Sequence, residues 1–171
     1  MKVLIAYATK TGTAKKCAEM LADKLDGCET EIKDLRFESP KLSDYDFAVI
    51  GGSIRVGMLN KYVKNFFRTS FSSLDGVRYG LFVTCASVNE DEVKQFFSAN
   101  LNADLLSGAE FALSFGGELI PDNQKGLDKY IIASMAKDAS RPQPHILEEN
   151  LCLAASLIKK EDDINAEKSN N

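Results

Sequence analysis

The chain has no tryptophan, one histidine (His145) and four cysteines, Cys17, Cys28, Cys85 and Cys152, none of which form a C-x-x-C pair. That set argues against a zinc centre, whose ligands come as closely spaced Cys and His. Long apolar runs are also missing. Stretches such as Phe47 to Ile50 and Leu151 to Ile158 fall well short of the roughly 18 to 20 residues of a spanning helix. There is no surplus of basic charge: 21 Lys and Arg stand against 25 Asp and Glu, a net −4. Broad nucleic-acid binding, which needs cations to release counterions from phosphate, is therefore not expected. No long apolar segment with a cleavage site follows Met1-Lys2, so the expected location is cytoplasmic, with thiols kept reduced. What remains is a soluble globule whose partner is small.

With 171 residues, 44% of them hydrophobic and 27% charged, the chain suits one compact domain. Strand-like and helix-like segments alternate along it. Lys2 to Tyr7 (KVLIAY), Thr30 to Lys33, Phe47 to Gly51 (FAVIG), Tyr79 to Thr84 (YGLFVT) and Glu110 to Phe115 read as strands. Between them apolar residues recur at helical spacing: Ala14, Cys17, Ala18, Leu21 and Leu25; Leu59, Tyr62, Val63, Phe66 and Phe67; Val93, Phe96 and Phe97. Further helices are expected around Leu127 to Met135 and from Ile146 to Lys160. Residues 1–160 form the expected domain, and the polar segment 161–171 is expected to be a disordered tail. Apolar strands without alternation, joined by helical crossovers, describe a doubly wound α/β domain with a five-stranded parallel sheet buried on both faces. Such sheets bind ligands beyond the carboxyl ends of their strands.

The loops at those ends carry the chemistry. After the first strand comes Ala8-Thr9-Lys10-Thr11-Gly12-Thr13-Ala14. Its threonines, single glycine and following helix make a phosphate cradle from backbone N–H groups and neutral hydroxyls. Neither a G-x-x-x-x-G-K-[ST] nor a G-x-G-x-x-G pattern is present, so the loop is of mononucleotide type. A simple helix-capping role for Thr11 or Thr13 is the competing reading. Gly51-Gly52-Ser53-Ile54-Arg55-Val56-Gly57 follows the third strand, and Cys85-Ala86-Ser87-Val88-Asn89 follows the fourth. No disulfide or metal partner is in view for Cys85, which reads as a small packed residue.

The T-x-T-G-T-A segment resembles the FMN-phosphate loop of the flavodoxin-like family. The I-G-G-S-I-R-x-G pattern resembles the branch that includes menaquinone-dependent protoporphyrinogen dehydrogenase. The resemblance implies a flavodoxin-like sheet of order 2-1-3-4-5 and FMN as cofactor. Thr9, Lys10, Thr11, Gly12, Thr13 and Ala14 would hold its phosphate. Ser53, Ile54, Arg55, Val56 and Gly57 would lie along the isoalloxazine ring, with Cys85, Ala86, Ser87, Val88 and Asn89 forming the second flanking loop. Arg55 would stabilise reduced-flavin charge or meet an anionic substrate, and is the candidate catalytic residue.

Neither flanking loop contains an aromatic residue, whereas electron-shuttling flavodoxins usually stack the ring between aromatic side chains. An open ring face suits a substrate that stacks on the flavin. The expected function is thus an FMN-dependent oxidoreductase exchanging electrons with a quinone or another planar small molecule, protoporphyrinogen among the candidates. The alternative is a carrier between redox protein partners. A phosphoacceptor receiver domain shares the sheet order but needs acidic residues after the first and third strands, which Tyr7-Ala8-Thr9 and Gly51-Gly52-Ser53 do not supply.

Overall fold

The computed structural model describes residues 1–70, 74, 76–118 and 143–169, with side chains through Lys160. Five parallel strands build the sheet: β1 (Lys2–Ala8), β2 (Glu29–Asp34), β3 (Phe47–Arg55), β5 (Arg78–Thr84) and β6 (Ala112–Ser114). They lie in the order β2-β1-β3-β5-β6. Counting the parallel strands alone, this is the expected 2-1-3-4-5. The shift in labels comes from β4 (Met58–Leu59), which pairs antiparallel with the end of β3.

Six of the seven residues of β1 are buried, because helices cover both faces of the sheet. Val3, Ile5 and Tyr7 point to one face, where they meet Phe47, Val49, Phe82 and the apolar stripes of α1 (Thr13–Lys24) and α5 (Glu148–Ser169). Leu4, Ala6 and Ala8 point to the other. There they pack with Val63, Phe66 and Phe67 of α2 (Lys61–Ser70), Phe97 of α3 (Glu90–Asn100) and Leu105 of α4 (Ala103–Gly108). Every second residue along a strand serves the same layer, so an unbroken apolar run feeds two cores. The rings of Phe82 and Phe115 stack 4.8 Å apart in the first of them.

Four expectations need correction. Gly52 to Arg55, read as loop, continues β3, since Gly52 and Ser53 pair in register with Val83 and Thr84 of β5. Leu59 belongs to β4 and not to the helix, although it faces the same core as Val63. Ile146 forms an isolated antiparallel bridge with Gly116, so the last helix begins only at Glu148. It also runs on through Ser169, into the segment assigned to the tail; lysine, glutamate and alanine there are good helix formers that need no buried face. The short helix α4 has no counterpart among the expected elements. The helix expected around Leu127 to Met135 lies outside the described residues.

The chain leaves β1 towards β2 on one side and returns to β3 on the other. The topological switch point therefore lies at the carboxyl ends of β1 and β3, where the first two candidate loops emerge.

Candidate functional site

The loop after β1 is organised by its own residues. Thr9 is buried, and its Oγ1 accepts a hydrogen bond from the Gly12 amide at 3.0 Å. Gly12 sits at φ +101° as the residue preceding α1, a conformation open to glycine and strained for other residues. Thr13 is buried at the first helical position, and the Ala14 side chain lies in the core, so Ala14 presents only its backbone to the loop. Lys10 is exposed and Thr11 half-buried. The N-cap residue of α1 is Gly12, which has no side chain to cap with, and the first turn of the helix contains no acidic residue. Its amides and its positive dipole end face the crevice without a competing carboxylate on that turn.

Two buried hydroxyls point to the same place. Ser53 Oγ and Thr84 Oγ1 have no hydrogen-bond partner among the described residues, and they are paired in register at the ends of β3 and β5. Strand alternation sets both on the α1 face of the sheet, with Val49 and Phe82. A buried hydroxyl without a partner costs about 1–3 kcal/mol, and a ligand with acceptor oxygens would satisfy it. Gly52 brings β3 close to β1: a Cβ there would stand 2.5 Å from the Ala8 carbonyl oxygen. An FMN phosphate and polyol chain fit this donor set, in which amides and hydroxyls predominate.

Beyond Ser53 the chain forms a two-residue hairpin. Ile54 packs on the α2 side, Arg55 is half-buried and pairs with Met58, and Val56-Gly57 make the turn. Both turn residues have positive φ, +48° for Val56 and +72° for Gly57, the type I′ arrangement that favours Asn-Gly. A β-branched residue in this region is an outlier with a cost of about 1–2 kcal/mol. Val56 is also 90% exposed at the tip, beside Met58 at 58%.

In the loop after β5 only Cys85 turns inward; Ala86 and Ser87 are half-buried, and Val88 and Asn89 are exposed. The Cys85 thiol is buried, 3.6 Å from Ser114 Oγ and 3.5 Å from the Ser87 carbonyl oxygen, and burial pushes its pKa up. It is a packed thiol and not an activated one. Ser87 Oγ bonds the Glu92 carboxylate and accepts from the Asn89 amide. Asn89 Oδ1 caps α3, accepting from the Asp91 and Glu92 amides at 2.9 and 3.0 Å. Ala86 and Val88 complete the loop, Val88 on its exposed side. Of this group the backbone and Val88, more than the polar side chains, are placed to meet a ligand.

The structure thus sets the first two candidate groups at the adjacent carboxyl ends of β1 and β3, and the third at the carboxyl end of β5, next to β3. Thr84 was missed, because threonine at the end of a strand looks like an ordinary β residue. Asn100 was missed as well: its amide bonds the Gly57 carbonyl and the Leu59 amide, 43 and 41 residues away in sequence. The stretch after β6 is tied down on both sides. Cys85 donates its amide to the Gly116 carbonyl at 2.9 Å, and Lys16 of α1 pairs with Glu118 at 2.8 Å.

A parallel sheet of this order, with a helix N-terminus and glycine-containing loops at its switch point, defines a flavodoxin-like α/β protein. A family model described as a flavodoxin domain matches residues 4–144, and the chain belongs to that family. Among curated proteins it is similar to protoporphyrinogen IX dehydrogenase [quinone] of Escherichia coli strain K12 and of strain O157:H7, each 31% identical over 80 residues. Those alignments cover 45% of this chain and 44% of each relative. Among solved structures, rubredoxin oxygen:oxidoreductase of Desulfovibrio gigas matches with a TM-score of 0.51 and 15% identity, over 80% of this chain and 34% of that one. A short-chain flavodoxin associated with a non-canonical PDU bacterial microcompartment matches with a TM-score of 0.50 and 16% identity, over 80% of this chain and 95% of that one. At these identities the structures share the fold. Among the described residues no helix is long and apolar enough to cross a membrane, and no cluster of potential metal ligands occurs.

Proposed function

We propose that this chain binds FMN at the carboxyl ends of β1 and β3 and acts as an oxidoreductase on a quinone or another planar small molecule. The observation that carries the reading is the open N-terminus of α1 opposite the unpartnered hydroxyls of Ser53 and Thr84. Thr9 and Gly12 shape the loop, the first amides of α1 hold the phosphate, and Ser53 donates to it or to the polyol chain. FMN, when bound, supplies electron transfer at its ring. The hairpin from Ser53 to Gly57 orients the ring, and Arg55 at the end of β3 provides the positive group beside it. The exposed apolar side chains of Val56, Met58 and Val88 suit a planar apolar compound, and they supply no aromatic lid. Protoporphyrinogen, whose carboxylates an arginine would pair, is the candidate that the curated relatives suggest.

Titration of flavin-free protein, followed by flavin fluorescence, is expected to give tighter binding of FMN than of FAD; equal affinities would refute the cradle. Arg55→Ala is expected to lower turnover with quinones or protoporphyrinogen while leaving FMN bound. The carrier reading has one observation of its own. Glu90, Asp91 and Glu92 crowd the first turn of α3 at the edge of the crevice, a charge pattern that would steer a basic redox protein. Electrons that pass to protein acceptors and to no small molecule would decide for it.

A further inference from the structure

The Val56-Gly57 turn is held from outside the hairpin. Asn100, the last residue of α3, donates from Nδ2 to the Gly57 carbonyl at 2.8 Å and accepts at Oδ1 from the Leu59 amide at 2.9 Å. Those two backbone groups lie two residues apart, one in the turn and one in β4, on the side of the hairpin away from β3, so the carboxamide makes the pair of bonds that a neighbouring parallel strand would make. The second Nδ2 hydrogen goes to the Phe96 carbonyl of α3 at 2.9 Å, which fixes the amide on its helix and sets its orientation. Inside the hairpin, between its two arms, the Asn60 amide donates to the Ser53 carbonyl at 3.0 Å. The tip between these anchors contains Val56 at a positive φ that valine disfavours. Such a conformation persists only where its surroundings over-determine it.

We propose that Asn100 is the positioning residue of the flavin-flanking hairpin: it clamps the strained Val56-Gly57 turn and thereby sets the reduction potential of the bound flavin. The second half rests on the FMN reading above; the clamp itself does not. A chemically specific prediction follows from the amide's two roles. Alanine removes both, aspartate retains the acceptor and loses both donors, and a glycine at position 56 removes the need for the clamp, because glycine adopts positive φ at no steric cost.

The first measurement is amide hydrogen exchange by NMR on flavin-free protein. Asn100→Ala is expected to speed exchange at Leu59 and Asn60 by about tenfold or more relative to Val49 and Leu81, which serve as controls for the fold. Asn100→Asp should spare Leu59 more than Asn60. The second measurement is a redox titration of the FMN-loaded protein. Asn100→Ala should move the reduction potential while changing FMN affinity less than about threefold, since the phosphate is anchored at α1; adding Val56→Gly should return the potential towards the parent value. Unchanged exchange at Leu59 and Asn60 overturns the clamp. Faster exchange with an unchanged potential overturns the redox role. A parent protein that binds no FMN sinks the functional reading instead, and the exchange data still decide the clamp.

Discussion

Two helices, α1 and α3, begin at the carboxyl ends of parallel strands and flank the same crevice, yet their N-termini are built in opposite ways. The first turn of α3 is closed: Asn89 Oδ1 accepts from two of its amides, and Glu90, Asp91 and Glu92 neutralise its dipole. The first turn of α1 has no acid and no cap from its N-cap residue, a glycine at φ +101°. A helix that needs only to be stable is capped, whereas one that leaves its amides and dipole unanswered has room for an anion. The Ser53 and Thr84 hydroxyls, without a partner among the described residues, lie on the α1 side of the sheet, which supports the proposed placement of the phosphate at α1 over α3.

The largest expected effect comes from giving α1 what α3 has. Thr13→Asp places a carboxylate on the open turn, and FMN affinity measured by fluorescence titration should fall by about 30- to 100-fold through competition for the amides and repulsion of the dianion. Unaltered affinity would mean that the phosphate sits elsewhere. Gly12→Ala tests the entry to the helix. No atom lies within 4 Å of the added methyl group, so the loss of about 1–2 kcal/mol in denaturant unfolding would come from backbone strain alone.

Removing the cap of the closed helix sharpens the contrast from the other side. Asn89→Ala should cost about 1 kcal/mol of stability and leave FMN affinity unchanged; a large loss of affinity would show that the Asn89 side chain meets the flavin. The smallest effect separates two signs in a single variant. Ser53→Ala removes a buried hydroxyl without a partner, so flavin-free protein should gain up to about 1 kcal/mol in thermal or denaturant unfolding. FMN affinity should drop by several-fold, because the ligand's acceptor loses its donor. A loss of stability in the flavin-free state would mean that Ser53 is already satisfied there.

The conformation of the loop after β1 was legible because its parts are contiguous in sequence: the strand end, Thr9, Gly12 and the start of α1. The hairpin was not. Gly52-Ser53 looks like loop, since glycine depresses strand propensity, and only pairing with Val83 and Thr84 extends β3 through them. Val-Gly is not the Asn-Gly signature of a type I′ turn, and its anchor, Asn100, lies at the end of another helix. Leu59 was assigned to a helix because its spacing from Val63 is helical, and both do face one core.

The sequence by itself determined the alternation of buried strands and amphipathic helices, the parallel sheet that follows from it, and the threonine-glycine loop before α1, because periodicity and φ preferences act over a few residues. The tertiary structure decided which groups share the crevice. Register between β3 and β5 set Ser53 beside Thr84, and α3 carried Asn100 to the hairpin edge. Hydrogen bonds across some forty residues depend on how layers pack, and no local pattern encodes that distance.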